Sequence, residues 1–475
     1  MSKALTAVVT LVFLFVLLPP PIAWTKDKQW RTASEDAVQF LRDLVRIDTT
    51  NPPGNEMAAA AYIQKVLSAA QIDSRVIESA PGRASIISRM KGNGRARPVI
   101  LMAHMDVVGV ERDKWTFDPF AGELRNGYVL GRGAADDKAM LAANLEIMLL
   151  LKRSGTRLDR DIVFLGAAGE EGTPEFGINY LLEHEPSELD AEFALNEGGD
   201  APLEGGSTPL YAAISTAEKT PRPVRLTARG TPGHGAFPSG NNAIAHLAEA
   251  VARISEWQIP VRLNETTREF FLKIASLNHG QDSEFARTIT SDETQSKLQG
   301  VVPRYWAMSR TTVSPTMLNA GFRINAVPSE ASATLDIRML PDEDADAFLW
   351  KLRNVINDPS ISMEPVGVAR PVSPTSGIDN AMFRALSRGY KSVFPGIIVP
   401  PQMVPGATDC AQLRVHGTQC YGVAIPMTAA DRAREHGVDE RISVIGVEQY
   451  LRAVFAAIQA LGAEGDSKTP ERNTP

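Results

Sequence analysis

Pro98-Val99-Ile100-Leu101-Met102-Ala103-His104-Met105-Asp106-Val107-Val108 is an apolar run broken only by His104 and Asp106. A strand covered on both faces has no polar side to alternate with, so a continuous run reads as a central strand of a parallel sheet. Around it, strands and helices alternate. Arg75–Glu78, Ala84–Met90, Asp161–Ala168 and Glu192–Asn196 read as strands, and Ser34–Val45, Met57–Ala70, Lys138–Arg153 and Phe176–Glu185 as helices. This order predicts an α/β sandwich.

The pattern changes near Lys219. Pro223–Ala228 reads as a half-exposed strand and Asn242–Ile254 as an amphipathic helix, followed by an unpatterned stretch over Asn264–Ser314. Strands at Met317–Asn325, Ala331–Met339 and Ile361–Pro365 enclose a helix at Glu343–Ile356. The set predicts a small antiparallel βαββαβ lid of ferredoxin type, inserted at 219–369 into a catalytic domain formed by 26–218 and 370–465. From Ser373 the first pattern resumes, with a helix at Ala381–Ser387, strands at Gly396–Pro400 and Cys420–Ile425, and a last helix at Val447–Leu461. The polar tail, 466–475, reads as disordered.

With 475 residues, 44% hydrophobic and 22% charged, the chain is long enough for two folded domains. A net charge of −7 and the lack of a basic cluster argue against nucleic acid as a partner. Lys3, the apolar run Ala4–Leu18 and Pro19-Pro20-Pro21 read as an export signal within residues 1–25. Periplasmic or extracellular localisation follows, with an uncleaved membrane anchor through residues 4–18 as the alternative. Cys410 and Cys420 then become candidates for a disulfide. Because they are only ten positions apart, the reading favours a pair of buried thiols.

Chemistry concentrates at strand ends, where α/β sheets gather their ligands. His104 and Asp106 end the apolar run on one face, so Asp106 can reach the surroundings of the imidazole. Gly131-Arg132-Gly133-Ala134-Ala135-Asp136-Asp137-Lys138 joins a strand to a helix through a turn almost free of side chains. Asp136 and Asp137 there could cap the helix or hold a cation. Glu170-Glu171-Gly172 and Glu197-Gly198-Gly199 each follow a strand; the glutamate pair could charge a helix start or divide into ligand and base. Of seven histidines, only His104 and the late His436 have plausible acidic company. Two imidazoles with several carboxylates suit a two-zinc site, with Asp136 placed to bridge.

Together these motifs resemble the co-catalytic zinc metallopeptidase family of aminoacylase-1, carboxypeptidase G and succinyl-diaminopimelate desuccinylase. The resemblance spans nearly the whole chain after residue 25, and Gly233-His234-Gly235-Ala236 with Pro238, Gly240 and Asn242-Ala243-Ile244 is similar to the family's lid motif. It implies that His104, Asp136 and Glu197 hold one zinc and Asp136, Glu171 and His436 the other, with cobalt or manganese as substitutes. It implies Glu170 as general base acting with a zinc-bridged hydroxide, Asp106 as support for His104, and a cis Asp136–Asp137 peptide. His234 is expected to reach a substrate carbonyl oxygen, often across a lid-mediated homodimer. Asn325 and Arg338 are expected to contact substrate, and Gly406 and Thr408 to lie near its terminal carboxylate. Linkers near residues 218 and 369 would act as hinges.

Glu197 stands where the family's acylases and carboxypeptidases carry Glu and its aminopeptidases and dipeptidases Asp. The implied substrate is therefore an N-acyl amino acid or small peptide with a free C-terminal carboxylate. The long insertion and His436-Gly437-Val438-Asp439-Glu440-Arg441-Ile442-Ser443 resemble the secreted N-fatty-acyl-amino-acid branch and the carboxypeptidase S type. The alternatives are an aminopeptidase or dipeptidase, and a zinc-containing protein that binds peptides without cutting them; Glu170 argues against the last, because binding needs no base.

Overall fold

The computed structural model describes residues 23–238, 240–277, 280–290, 303–367 and 369–463. The export signal expected within residues 1–25 falls almost wholly, and the tail at 466–475 wholly, outside the described residues. Val99–His104 is a central strand of an eight-stranded mixed sheet. Its order is Ser74–Ala80, Arg83–Met90, Ile162–Ala167, Val99–His104, Phe193–Asn196, Gln419–Gly422, Ile214–Glu218 and Pro401–Val404. Both faces of the central strand are buried, as the unbroken run requires. Val99, Leu101 and Ala103 belong to one core, with the helices Ala23–Val45, Lys138–Ser154, Ala381–Val393 and Val444–Ala463. Ile100 and Met102 belong to another, under the helices Ile178–His184 and Cys410–Val415.

The helix Lys138–Ser154 lies at the centre of the first layer, and its residues from Lys138 to Leu151 are all buried. It ends at Gly155, whose left-handed φ of 58° suits a residue without a Cβ. Lys138 donates its Nζ to the carbonyls of Leu44 (3.0 Å) and Ile47 (2.8 Å), partnering acceptors at and just beyond the end of the helix Ala23–Val45. Burial pushes that ammonium down to about 7.

The second unit has its own core between the strands Val224–Arg229, Glu330–Met339 and Ile361–Pro365 and the helices Ala243–Glu256 and Ala345–Ile356. Glu330–Met339 alternates strictly, one face buried and the other partly exposed. The strand expected at Met317–Asn325 instead runs Thr312–Ala320 and lies on the edge of this sheet. Pro315 interrupts the pattern in the sequence, but an edge strand tolerates a missing amide donor, and the register slips there. Similarly, the strand expected at Gly396–Pro400 is Pro401–Val404, with the preceding residues contributing only isolated pairings such as Ala212 N to Ile398 O (3.0 Å).

Two expectations are corrected. The stretch 264–314 is not without regular structure, since it holds the helices Glu265–Ala275, Gly280–Thr290 and Pro303–Met308. Their apolar positions converge on Phe270, Phe271, Phe285 and Tyr305, which pack with Tyr211 of the catalytic domain. Helices this short show too few turns for a periodic stripe. Cys410 and Cys420 are bonded to each other, not a pair of free thiols. The helix Cys410–Val415 packs on the adjacent strand Gln419–Gly422 and brings the two Cα atoms to 5.3 Å, within bridging range.

Glu146 is buried in the central helix and paired with Arg153, one carboxyl oxygen being left without a donor. Burial pushes its pKa up to about 8. An acid whose folded pKa lies above its unfolded value binds more protons when folded, so its contribution to stability falls as pH rises between the two. Glu146→Gln should therefore raise Tm relative to the parent, and more so at pH 8.5 than at pH 5. Thermal unfolding of both proteins at the two pH values checks this; an equal difference at both would refute it.

Candidate metal centre

Four segments, at residues 104–106, 170–171, 196–197 and 436, converge with the turn 131–137 at one end of the sheet. His104 is buried at the last position of its strand. Its Nδ1 lies 2.9 Å from the carbonyl oxygen of Asp106, and its Nε2 lies 2.9 Å from Asp136 Oδ1 and 3.9 Å from Glu197 Oε1. His436 Nε2 stands 3.0 Å from Asp136 Oδ2 and 2.9 Å from Glu171 Oε1. Asp136 thus touches both imidazoles, one with each carboxyl oxygen. Its peptide bond to Asp137 is cis.

The donor set fits a cation. Donors at about 2.0–2.1 Å around a tetrahedral zinc stand about 3.3 Å from one another, and the separations here run from 2.9 to 3.9 Å. The donors of His104, Asp136 and Glu171, and those of His104, Glu170 and Glu197, fall within 4.8 Å of each other. Charge points the same way. Burial alone would push His104 down, yet its hydrogen bonds to Asp106 and Asp136 hold it well above the usual imidazole range. The hydrogen bonds of Asp136 and Glu171 push His436 up to about 10. Burial, and the carboxylates of Asp136 and Glu170 beside it, raise Glu197. The cluster calls for positive charge.

Asp106 does more than face His104. Its Oδ1 accepts from the amide of Glu170 (3.1 Å) and its Oδ2 from the amide of Glu171 (3.1 Å) and from Asn51 Nδ2 (2.8 Å). The nearest approach of its carboxylate to the imidazole is 3.6 Å, so the close contact with His104 comes from its main chain. The carboxylate instead fixes the turn carrying both glutamates.

The lid residues lie elsewhere. His234 is exposed, its Nδ1 accepting from the amide of Ala236 (3.0 Å), and among the described residues no contact joins it to the cluster. It neighbours Asn325: Gly233 and His234 pair with Ala326 and Val327, and Gly235 N donates to Asn325 O (2.9 Å). Arg338 Nε is bound to the carboxylate of Asp336 at 2.8 and 3.1 Å. Thr408 is buried, with its hydroxyl (3.0 Å) and amide (3.2 Å) both donating to Glu218; Gly406, two positions earlier, is half-buried.

Residues 100–461 match the peptidase family M20/M25/M40. The chain belongs to that family. It is a hydrolase, with candidate metal-binding residues at the place just described. It is 28% identical over 437 residues to the N-fatty-acyl-amino acid synthase/hydrolase PM20D1 of Xenopus tropicalis, covering 89% of this chain and 85% of that protein. It is also 28% identical over 386 residues to probable carboxypeptidase S-like 2 of Dictyostelium discoideum, covering 79% and 74%. Human carnosine dipeptidase 1 shares the fold, with a TM-score of 0.69 over 94% of this chain and 100% of that one, at 16% identity.

Two residues of this M20 chain were given no role by the sequence reading. Glu440, fully buried, accepts from the amides of Gly133 (3.1 Å), Ala135 (2.8 Å) and Asp136 (3.1 Å) and pairs with Arg132 at 2.5 Å. It lies four positions after His436, inside the stretch 436–443 that carried a resemblance but assigned Glu440 no role. Arg370 donates Nη2 to both the carbonyl (3.0 Å) and the Oε1 (2.9 Å) of Glu170. Burial pushes the Glu170 carboxyl up while the guanidinium opposes it. Nothing local marks Arg370, because its partner is two hundred positions away.

Glu440→Ala should weaken metal binding by about 10–100-fold, the usual effect of losing such support; competition against a chelator measures it, and parental affinity would show that the turn holds without Glu440. Arg370→Met should lower kcat by about 10–100-fold, the worth of a hydrogen bond to a charged group, with metal content unchanged. A change confined to KM would separate Arg370 from Glu170.

Proposed function

We propose that the chain is a zinc-dependent hydrolase of the amide or peptide bond in N-acyl amino acids or small peptides carrying a free C-terminal carboxylate. The observation that carries this reading is the placement of Glu170. Its carboxyl group is buried among the candidate ligands, yet it has a cation of its own in Arg370, which leaves it less available as a ligand and oriented for proton transfer. Two of the related proteins are, by name, an N-fatty-acyl-amino acid synthase/hydrolase and a carboxypeptidase S-like protein, which supports the same substrate class.

In this reading His104, Asp136 and Glu197 hold one zinc and Asp136, Glu171 and His436 the other. Bound there, zinc would polarise the scissile carbonyl and lower the proton affinity of water. Glu170 takes the proton of the attacking water and delivers it to the leaving nitrogen. Asp106 keeps Glu170 and Glu171 in place through their amides. His234, projecting from the lid, supplies a donor to the substrate carbonyl once the lid closes or a second copy presents it. The edge strand Thr312–Ala320, with Met317 and Leu318 exposed, supports a lid-mediated dimer. The Cys410–Cys420 disulfide supports export through residues 1–25, or anchoring by residues 4–18, because disulfides persist in oxidising compartments.

The test joins metal analysis to turnover. Glu170→Ala should retain two zinc ions per chain and lose turnover by about 10²–10⁴-fold, the range for a general base. Loss of zinc would instead make Glu170 a ligand. Asp136→Ala should lose both ions, and retention of two equivalents would refute the shared ligand.

A further inference from the structure

Beside the cluster opens a cavity of about 330 Å³. Asp136, Asp137, Glu197 and Glu435 line it together with apolar side chains such as Met140 and Ile425. Two guanidinium groups also line it, those of Arg304 and Arg432. They come from separate parts of the chain. Arg304 sits on the helix Pro303–Met308 of the insertion, and Arg432 ends a short helix just ahead of His436.

One buried carboxylate gathers both. Asp200 is paired with Arg304 and stands 3.3 Å from Arg432 Nη2, while Tyr211 donates its hydroxyl to Asp200 at 2.7 Å. Gln402 accepts from Arg304 Nη2 (2.8 Å). Arg304 is thus fixed on two sides where it lines the cavity. Arg432 is held more loosely. Its contacts to Asp200 (3.3 Å) and Glu435 (3.6 Å) exceed the 2.7–2.9 Å of charge-assisted hydrogen bonds, so its donors retain capacity. A cavity that combines apolar walls with convergent charged groups is the usual form of a site that orients a small ligand. A pair of guanidinium forks selects a carboxylate.

We propose that Arg304 and Arg432 form the specificity-determining pair that receives a carboxylate of the substrate in this cavity. The proposal rests on the amidohydrolase reading above and names the residues that recognise the charge. Of the other groups expected to contact substrate or lie near that charge, Arg338 and Thr408 do not line this cavity, and the Thr408 hydroxyl and amide both donate to Glu218. Removing the insertion would remove Arg304, so the same segment that lengthens the chain builds one wall of the site.

The carboxylate could be that of the amino acid or one ending a dicarboxylic acyl group, and the substrates distinguish them. Steady-state kinetics of the zinc-loaded full chain would compare N-acetyl-L-leucine, N-acetyl-L-leucinamide and N-succinyl-L-leucinamide. The parent protein should prefer a carboxylate-bearing substrate to the plain amide. Arg304→Gln and Arg432→Gln should each cut that preference about tenfold or more, mostly through KM, with zinc content unchanged and partial recovery in the lysine variants. Loss on N-acetyl-L-leucine alone assigns the pair to the amino acid's carboxylate, and loss on N-succinyl-L-leucinamide alone to the acyl terminus. Because Arg304 also braces Asp200, Arg432→Gln decides the matter if Arg304→Gln unfolds. Parental preference in both glutamine variants, with its loss in Arg338→Gln, would overturn the proposal while leaving the amidohydrolase reading intact. No turnover of any of the three by the parent would overturn that reading and the proposal with it.

Discussion

The carboxylate of Glu440 is the contact on which the centre depends. A turn of glycines and alanines has no side chains with which to hold its own shape, and it must nevertheless present Asp136 to two imidazoles. Three amides of that turn donate to Glu440, and Arg132 closes the set from the side. Arg132 also donates to the carbonyl of Gly437 (2.7 Å), the residue after His436. One buried ion pair therefore fixes the turn and the histidine loop relative to each other. His436 itself adopts a left-handed backbone (φ 57°), a conformation that costs energy for a non-glycine residue and persists only where its surroundings enforce it.

A second carboxylate works the same way on the other side. Asp106 holds the amides of Glu170 and Glu171, as Glu440 holds those of the turn. Each acidic anchor sits behind the groups it positions and accepts from main-chain donors that would otherwise be buried without partners. The cluster is thus built from two kinds of carboxylate: those whose charge is spent on backbone amides, and those left facing the imidazoles. Only the second kind is free to serve a cation.

The fold was legible where burial imposes a pattern. Val99–His104 shows it as an unbroken run, and Glu330–Met339 as strict alternation. Strand-end chemistry was legible for the same reason, since His104, Glu170–Glu171 and Glu197 all follow apolar strands whose ends mark where ligands can gather. What the sequence hid depends on distance along the chain. Arg370 and Glu170 meet only after the lid has been traversed, and Asp200 meets Arg304 across the insertion. The disulfide was hidden differently: a separation of ten positions says nothing about whether a helix and a strand will lie side by side. The start of Thr312–Ala320 lay outside the expected strand, and Pro315 within it is tolerated because the strand runs at an edge.

The insertion changes what a reader should expect of the site's selectivity. Its aromatic core packs through Tyr211, whose hydroxyl reaches Asp200, and Asp200 in turn holds Arg304 against the cavity. Packing in the insertion is thereby coupled to the position of a charge beside the reacting centre. Arg304 lies within the insertion yet is tied to Asp200 and Gln402 of the catalytic domain, so any motion about linkers near 218 and 369 must either carry those contacts along or break them.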